Sequence, residues 1–274
     1  LVAHPRSHMR DLDVVQSQLR LPLADGGGFQ AMKDGDIVQM DGAGKFALIP
    51  ATAAGSFLSE RKDMTVYVDG MNNHEVDFLA NLKATSTSLG VRNVYGVYVS
   101  RVGGVEARSI RNETLAPPSL KTLEGLLAAQ SVKELVGYSL GGAISARALK
   151  NMQTKNVDVT GVTWVTVTGA QTRQNLPRLD SANRPGRVVV IAGKNDAVNG
   201  GHYAKQGRSQ NERFVCNLPG WGCDKEMYDH IAANQEYYSF VHEEIQCNDP
   251  NKHSFAECYA QRFLAKLRRD GTLE

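Results

Sequence analysis

The sequence predicts an α/β fold with a mostly parallel central sheet, helices on both of its faces and an antiparallel edge at its N-terminal side. Apolar runs typical of buried strands lie at 64–68, 93–99, 162–167 and 187–191. Segments with helical spacing of apolar residues alternate with these runs, and such alternation favours parallel strands joined by helices. The segments 36–40 and 45–49 flank Asp41-Gly42-Ala43-Gly44, which predicts an antiparallel hairpin for the edge.

The helices are predicted from apolar residues that recur at helical spacing. They are expected at 74–86, 123–130, 142–152 and 254–268. Between 101 and 120 the pattern is irregular and contains Gly103-Gly104 and Pro117-Pro118. We interpret this excursion either as a lid or specificity loop over a site or as a plain surface loop.

The composition excludes some classes of function. The 274 residues carry a formal net charge of +2 without a long basic run, which argues against nucleic acid as the main partner. No run approaches the ~18 consecutive apolar residues of a transmembrane helix, and no signal peptide is visible. One domain is expected over 10–274. The segment 1–9 ends in Ser7-His8-Met9, which resembles an expression-tag remnant, so it is expected to be tag-derived or disordered.

All four cysteines lie in the last quarter of the chain, at Cys216, Cys223, Cys247 and Cys258. They allow two disulfides in three connectivities, one of which closes the short loops 216–223 and 247–258. Four free thiols are the alternative. Disulfides would indicate an oxidising compartment. Because no Cys-x-x-Cys pair is present, no zinc site is expected.

The strongest motif is Gly137-Tyr138-Ser139-Leu140-Gly141, between a predicted strand at 133–136 and the helix predicted at 142–152. This Gly-x-Ser-x-Gly arrangement is typical of a nucleophile elbow, a sharp strand-to-helix turn that exposes the serine hydroxyl above the sheet. Side chains in place of Gly137 and Gly141 would collide with the neighbouring strand and helix. The alternative is an ordinary glycine-rich turn in which Ser139 only caps the helix.

A nucleophilic serine needs a neighbouring base, and the base needs an orienting carboxylate. Asp196 is the candidate acid because it follows the strand at 187–191, the alternative being a turn-forming aspartate. His253 is the candidate base because it lies in a loop that leads into the last helix. The alternatives for the base are His230 and, ranked below it, His202 and His242.

These residues predict acyl transfer through a covalent ester on Ser139. His253 would take the serine proton, and Asp196 would hold the imidazole tautomer. The oxyanion needs backbone donors, and the candidates are the N–H groups of Leu140 and Met71. Gly70 precedes Met71 and allows the backbone to approach closely. No metal site and no cofactor are expected.

With these residues assigned, the chain resembles the α/β-hydrolases of the lipase type and is most similar to the class 3 lipases. The elbow of that group commonly reads Gly-His-Ser-Leu-Gly-Gly-Ala, and here it is Gly137-Tyr138-Ser139-Leu140-Gly141-Gly142-Ala143. The segment 167–173 is a weaker echo of the group's Thr-Phe-Gly-x-Pro-Arg motif, and the resemblance covers roughly 64–267. The chain departs from the group's pattern at two places. Asp69-Gly70 stands where the group usually has His-Gly, and Tyr138 stands where it has the elbow histidine.

The resemblance implies a serine hydrolase that cleaves carboxylic esters of lipids, as a lipase or phospholipase. The alternatives are a small-ester esterase, a thioesterase or an acyltransferase on the same triad, and a non-catalytic binding protein of the same fold. A looser resemblance to bacterial lipase-like effectors implies secretion or delivery by a secretion system. It also implies transient contact with a membrane surface and an inhibitor or immunity protein as partner.

Overall fold

The computed structural model describes residues 19–58, 61–71, 74–91, 93–193, 196, 230–231, 233–249 and 253–273. The predictions for 1–9, for Cys216 and Cys223, and for His202 fall outside these residues. One domain over 10–274 stays a prediction.

An eight-stranded sheet forms the centre of the fold. Its strands are β3 (Ile37–Met40), β4 (Phe46–Ile49), β5 (Met64–Val68), β6 (Val94–Val97), β7 (Val132–Tyr138), β8 (Thr163–Val167), β9 (Arg187–Gly193) and β10 (Tyr238–Glu243). Their spatial order is β10-β9-β8-β7-β5-β6-β3-β4. The six strands from β10 to β6 are parallel, while β3 and β4 form an antiparallel hairpin against β6. A separate two-stranded sheet pairs β1 (Arg20–Pro22) with β2 (Phe29–Ala31). The predictions of a mostly parallel sheet and of an antiparallel N-terminal edge are confirmed.

The helices lie mainly between the parallel strands in the chain. Those in the described part of the chain include α1 (Ala54–Leu58), α2 (Glu75–Leu89), α3 (Gly104–Arg111), α4 (Pro118–Ala128), α5 (Leu140–Thr154) and a C-terminal helix. The C-terminal helix has two parts, a π-helix over Phe255–Leu264 and an α-helix over Ala265–Arg269. Among the described helices, none combines the length and the apolar character needed to cross a bilayer.

Two hydrophobic cores lie on opposite faces of the sheet. Neighbouring strand residues alternate between them, so Leu135 and Trp164 belong to one core while Val136 and Val165 belong to the other. The first core is completed by apolar residues of α3, α4 and α5, and the second by those of α2 and the C-terminal helix. Strands buried on both faces explain the continuous apolar runs in the sequence.

The stretch 101–120 differs from the sequence-based expectation. It contains α3 and the start of α4, so the expectation of an irregular excursion is wrong for these parts. Pro118 is the first residue of α4, where its missing N–H removes no helical hydrogen bond. The Pro-Pro pair therefore starts a helix five residues before the predicted position. Strand β10 was not predicted from the sequence at all.

The turn between β7 and α5 depends on close backbone approach. A Cβ atom on Gly141 would lie closer than 3.0 Å to the main-chain oxygens of Val68 and Asp69 at the end of β5. Beneath the turn, the buried Trp164 donates from Nε1 to Ser145 Oγ over 2.9 Å, and that hydroxyl donates to Gly142 O over 3.0 Å. Helix α5 therefore begins directly against the strands.

This packing predicts opposite effects of the same substitution at two helical glycines. Gly125 lies in α4 with no atom within 4 Å of an added Cβ, so Gly125→Ala should raise the free energy of unfolding by about 0.5–1 kcal/mol. Gly141→Ala should lower the free energy of unfolding by about 1–3 kcal/mol, because the added Cβ would overlap main-chain atoms at the end of β5, which cannot move without disturbing the sheet. Urea denaturation measures both changes. A Gly141→Ala protein as stable as the unsubstituted chain would contradict the packing described.

Candidate active site

Ser139 lies at the junction of β7 and α5 in a conformation that few side chains adopt. Its φ and ψ are 50° and −119°, so the residue is strained as expected for a nucleophile elbow. Hydrogen bonds from the N–H group and to the carbonyl oxygen of Ser139 hold the backbone in this conformation. Ser139 N donates to Val167 O over 3.0 Å, and Ser139 O accepts from Gly142 N and Ala170 N. The side chain is thereby fixed above the carboxyl edge of the sheet.

His253 reaches Ser139 from the loop before the C-terminal helix. His253 Nε2 lies 3.2 Å from Ser139 Oγ, and Nδ1 lies 2.9 and 3.0 Å from the two carboxylate oxygens of Asp196. Because a carboxylate only accepts hydrogen bonds, it favours the tautomer with the proton on Nδ1. Nε2 then presents its lone pair to the serine hydroxyl, which is the arrangement a general base requires.

Asp196 is buried, and its carboxylate accepts hydrogen bonds from neighbouring side chains. Tyr259 donates its hydroxyl over 2.6 Å to Asp196 Oδ2, an oxygen that His253 Nδ1 also contacts. Gly193 allows this approach, because a Cβ there would lie 2.5 Å from the Tyr259 hydroxyl oxygen. A carboxylate removed from water needs such partners to keep its charge.

The main chain of His253 is held on both sides. On one side, Asp249 Oδ2 accepts from the N–H groups of His253 and Ser254, each over 2.7 Å. On the other side, the Tyr138 hydroxyl donates to His253 O, and the two rings lie 5.2 Å apart between centroids. A disulfide between Cys247 and Cys258 closes the loop around these residues. This pair belongs to one of the three connectivities that the sequence left open.

The two predicted oxyanion donors lie at the expected places in the fold. Leu140 is the first residue of α5, where N–H groups have no acceptor within the helix. Met71 is half-buried and follows Gly70, where an added Cβ would lie 3.0 Å from Ser139 Cβ. The loop after β5 therefore passes directly beside the serine. Their roles as donors stay a prediction.

A buried polar cluster anchors that loop. Asp69 is fully buried, and its Oδ1 accepts from the Tyr67 hydroxyl over 2.8 Å and from Asn81 Nδ2 over 3.5 Å. Burial, with the nearby Asp69 charge, raises the pKa of Tyr67 well above its usual value. Tyr67 therefore stays a neutral donor, and the cluster fixes the residue before Gly70 against β5 and α2.

The described side-chain contacts of His230, the first of the alternative bases, do not include the serine. His230 lies 3.1 Å by its Nδ1 from Asn234 Nδ2, and its ring contacts that of Tyr238. Burial, helped by the charge of Arg173, lowers the pKa of His230. His242 belongs to β10, where its backbone pairs with Ala192. Among contacts between described residues, only His253 connects Ser139 to Asp196.

Sequence reasoning assigned no role to several residues around the base. These are Asp249, Tyr259, Tyr138 and Thr168. Thr168 has a φ of 42°, unusual for a β-branched residue, and its Oγ1 lies 3.4 Å from His253 Nδ1. Asp249 precedes His253 by only four residues, and aspartates in loops often accept hydrogen bonds from nearby main-chain N–H groups. Its role could therefore have been predicted from the local sequence. The other contacts join distant segments and leave no local signal.

A comparison of the chain with protein-family models gives no match, and a comparison with curated proteins gives none either.

The disulfide around the base loop leads to a stability prediction. Replacing both cysteines, Cys247→Ser with Cys258→Ser, should lower the free energy of unfolding by about 2–3 kcal/mol, because the unfolded chain loses a constraint on an 11-residue separation. Urea denaturation with and without a thiol reductant measures this effect. The reductant should destabilise the unsubstituted chain more than the double variant. Equal stability of the two oxidised proteins would contradict the prediction.

Proposed function

We propose that the protein is a serine hydrolase of the α/β-hydrolase type that cleaves carboxylic esters through a covalent acyl-enzyme. The observation that carries the proposal is the continuous chain of contacts from Ser139 through His253 to Asp196. The strained backbone of Ser139 supports it, since such strain is typical of nucleophile elbows. A serine that only capped α5 would not need a base and a buried acid aligned behind it.

The acylation step follows from this geometry. Ser139 Oγ attacks the ester carbonyl carbon while its proton passes to His253 Nε2, and Asp196 stabilises the imidazolium that forms. The carbonyl oxygen becomes an oxyanion, which the N–H groups of Leu140 and Met71 would bind. When the tetrahedral intermediate collapses, the bond to the alcohol oxygen breaks, and that oxygen takes the proton from His253.

Deacylation repeats these steps with water. His253 Nε2 takes a proton from the water molecule as its oxygen attacks the acyl carbon. The second tetrahedral intermediate releases the acid, and the proton returns from His253 to Ser139 Oγ. The same residues serve both halves of the reaction, so no further group is required.

Lipid esters are the proposed substrates, on two grounds. The segment Leu140-Gly141-Gly142-Ala143 matches the elbow of the class 3 lipases. Two valines are strongly exposed in the first turns of helices that follow β5 and β6, Val76 at 63% and Val105 at 78%. These turns follow the carboxyl ends of their strands and so lie at the edge of the sheet that carries the candidate site, where an apolar substrate surface would approach. The disulfide is consistent with secretion, because disulfides persist in oxidising compartments.

The nucleophile is tested by intact-mass analysis after treatment with a fluorophosphonate probe. One adduct is expected on the unsubstituted chain and none on Ser139→Ala, and ester hydrolysis should fall by about 10³-fold or more. Ser88→Ala is the matched control, since Ser88 and Ser139 are each 7% exposed. Absence of an adduct on the unsubstituted chain, or an adduct that persists in Ser139→Ala, would contradict the proposal.

The substrate class is tested by comparing acetyl, octanoyl and palmitoyl esters of p-nitrophenol with phosphatidylcholine vesicles. A lipid hydrolase should show kcat/KM rising with chain length, because a longer acyl chain buries more apolar surface. Val76→Ser with Val105→Ser should slow vesicle hydrolysis and leave the acetyl ester unaffected. Phe29→Ser is the control, because Phe29 is also 63% exposed but lies on β2. A preference for the acetyl ester would instead favour a small-ester esterase.

A further inference from the structure

Tyr138 departs from the elbow pattern of the class 3 lipases and has contacts of its own. It is the last residue of β7, directly before Ser139, and its hydroxyl donates to the main-chain oxygen of His253. Its ring contacts the imidazole of His253 and the ring of Phe255, at centroid distances of 5.2 and 5.3 Å. One side chain therefore joins the segment of the nucleophile to the segment of the base.

The surroundings of Tyr138 keep its hydroxyl a donor. The residue is only 5% exposed, and burial raises its pKa well above the usual value. The carboxylates of Asp196, Asp69 and Asp249 raise it further, since a tyrosinate would be repelled by their charges. The hydroxyl therefore remains protonated at neutral pH.

We propose that Tyr138 is a positioning residue for the base, and that its hydroxyl sets the distance between His253 and Ser139. The inference rests on the proposed function. Asp249 fixes the N–H side of His253, and Tyr138 fixes the carbonyl side of the same residue. With both ends of the residue held, the imidazole has little freedom to move away from Ser139 Oγ. Because Tyr138 and Ser139 are adjacent in the chain, any shift of the elbow carries the base with it.

The hydroxyl and the ring make separable contributions. The ring contacts with His253 and Phe255 are packing contacts that phenylalanine would preserve. The hydrogen bond to His253 O requires the hydroxyl. Tyr138→Phe therefore removes the positioning contact and keeps the packing. Tyr95→Phe is a matched control, because Tyr95 is 3% exposed and lies in β6.

The test measures the rate of fluorophosphonate inactivation as a function of probe concentration, which separates the maximal rate constant kinact from the half-saturating concentration KI. Tyr138→Phe should lower kinact about tenfold and leave KI within about twofold, because the base is misplaced while the binding surface is unchanged. Tyr95→Phe should change neither value. Circular dichroism should show both variants folded. If Tyr138→Phe does not fold, Tyr138→Met provides a second side chain without a hydroxyl.

The outcomes distinguish this inference from the proposed function. If the unsubstituted chain reacts and Tyr138→Phe retains its kinact, the positioning role is wrong while the hydrolase proposal stands. If KI rises tenfold at constant kinact, Tyr138 shapes the binding surface, and the positioning role is again wrong. If the unsubstituted chain does not react with the probe, the proposed function itself fails.

Discussion

The site depends on the strained backbone of Ser139. A positive φ at a residue with a side chain is unfavourable, so the surrounding structure must hold it. Three main-chain hydrogen bonds do so, one from Ser139 N and two to Ser139 O. Close packing of α5 against β5 adds to this, since a Cβ on Gly141 would overlap the end of that strand. These hydrogen bonds and this packing offset the conformational free energy that the strained backbone costs.

The strand order brings the remaining groups to this turn. Strands β6 and β7 lie on either side of β5 within the sheet, so the strand order reverses between β5 and β7. The carboxyl ends of β5 and β7 are neighbours at this point. The loop that carries Met71 therefore lies beside Ser139. Strand β9 ends three residues before Asp196 at the same edge. The C-terminal helix packs over the second core, so that Tyr259 and the preceding His253 reach Asp196.

Much of the site could be predicted from the sequence because its signals are local. The elbow motif specifies a turn within five residues, and Asp196 follows an unmistakable apolar strand. The hairpin of β3 and β4 was predicted from its turn residues for the same reason. The start of α4 was misplaced because a Pro-Pro pair suits a loop and a helix N-terminus equally well.

The supporting contacts could not be predicted because they join distant segments. Tyr259 and Asp196 are 63 positions apart, and Tyr138 and His253 are 115 apart. No periodicity or spacing encodes such a pair, which forms only when the C-terminal helix packs on the sheet. Strand β10 was missed because its sequence, Tyr238-Ser239-Phe240-Val241-His242-Glu243, mixes polar with apolar residues, as suits an edge position.

The central claim is that Ser139, its base and its oxyanion donors form one assembled centre. The most direct test is a crystal structure of the protein after reaction with a fluorophosphonate. The account predicts phosphorus bonded to Ser139 Oγ, with the phosphonyl oxygen about 2.7–3.1 Å from the backbone nitrogens of both Leu140 and Met71. A covalent bond to any other residue, or a phosphonyl oxygen that faces away from both N–H groups, would contradict it.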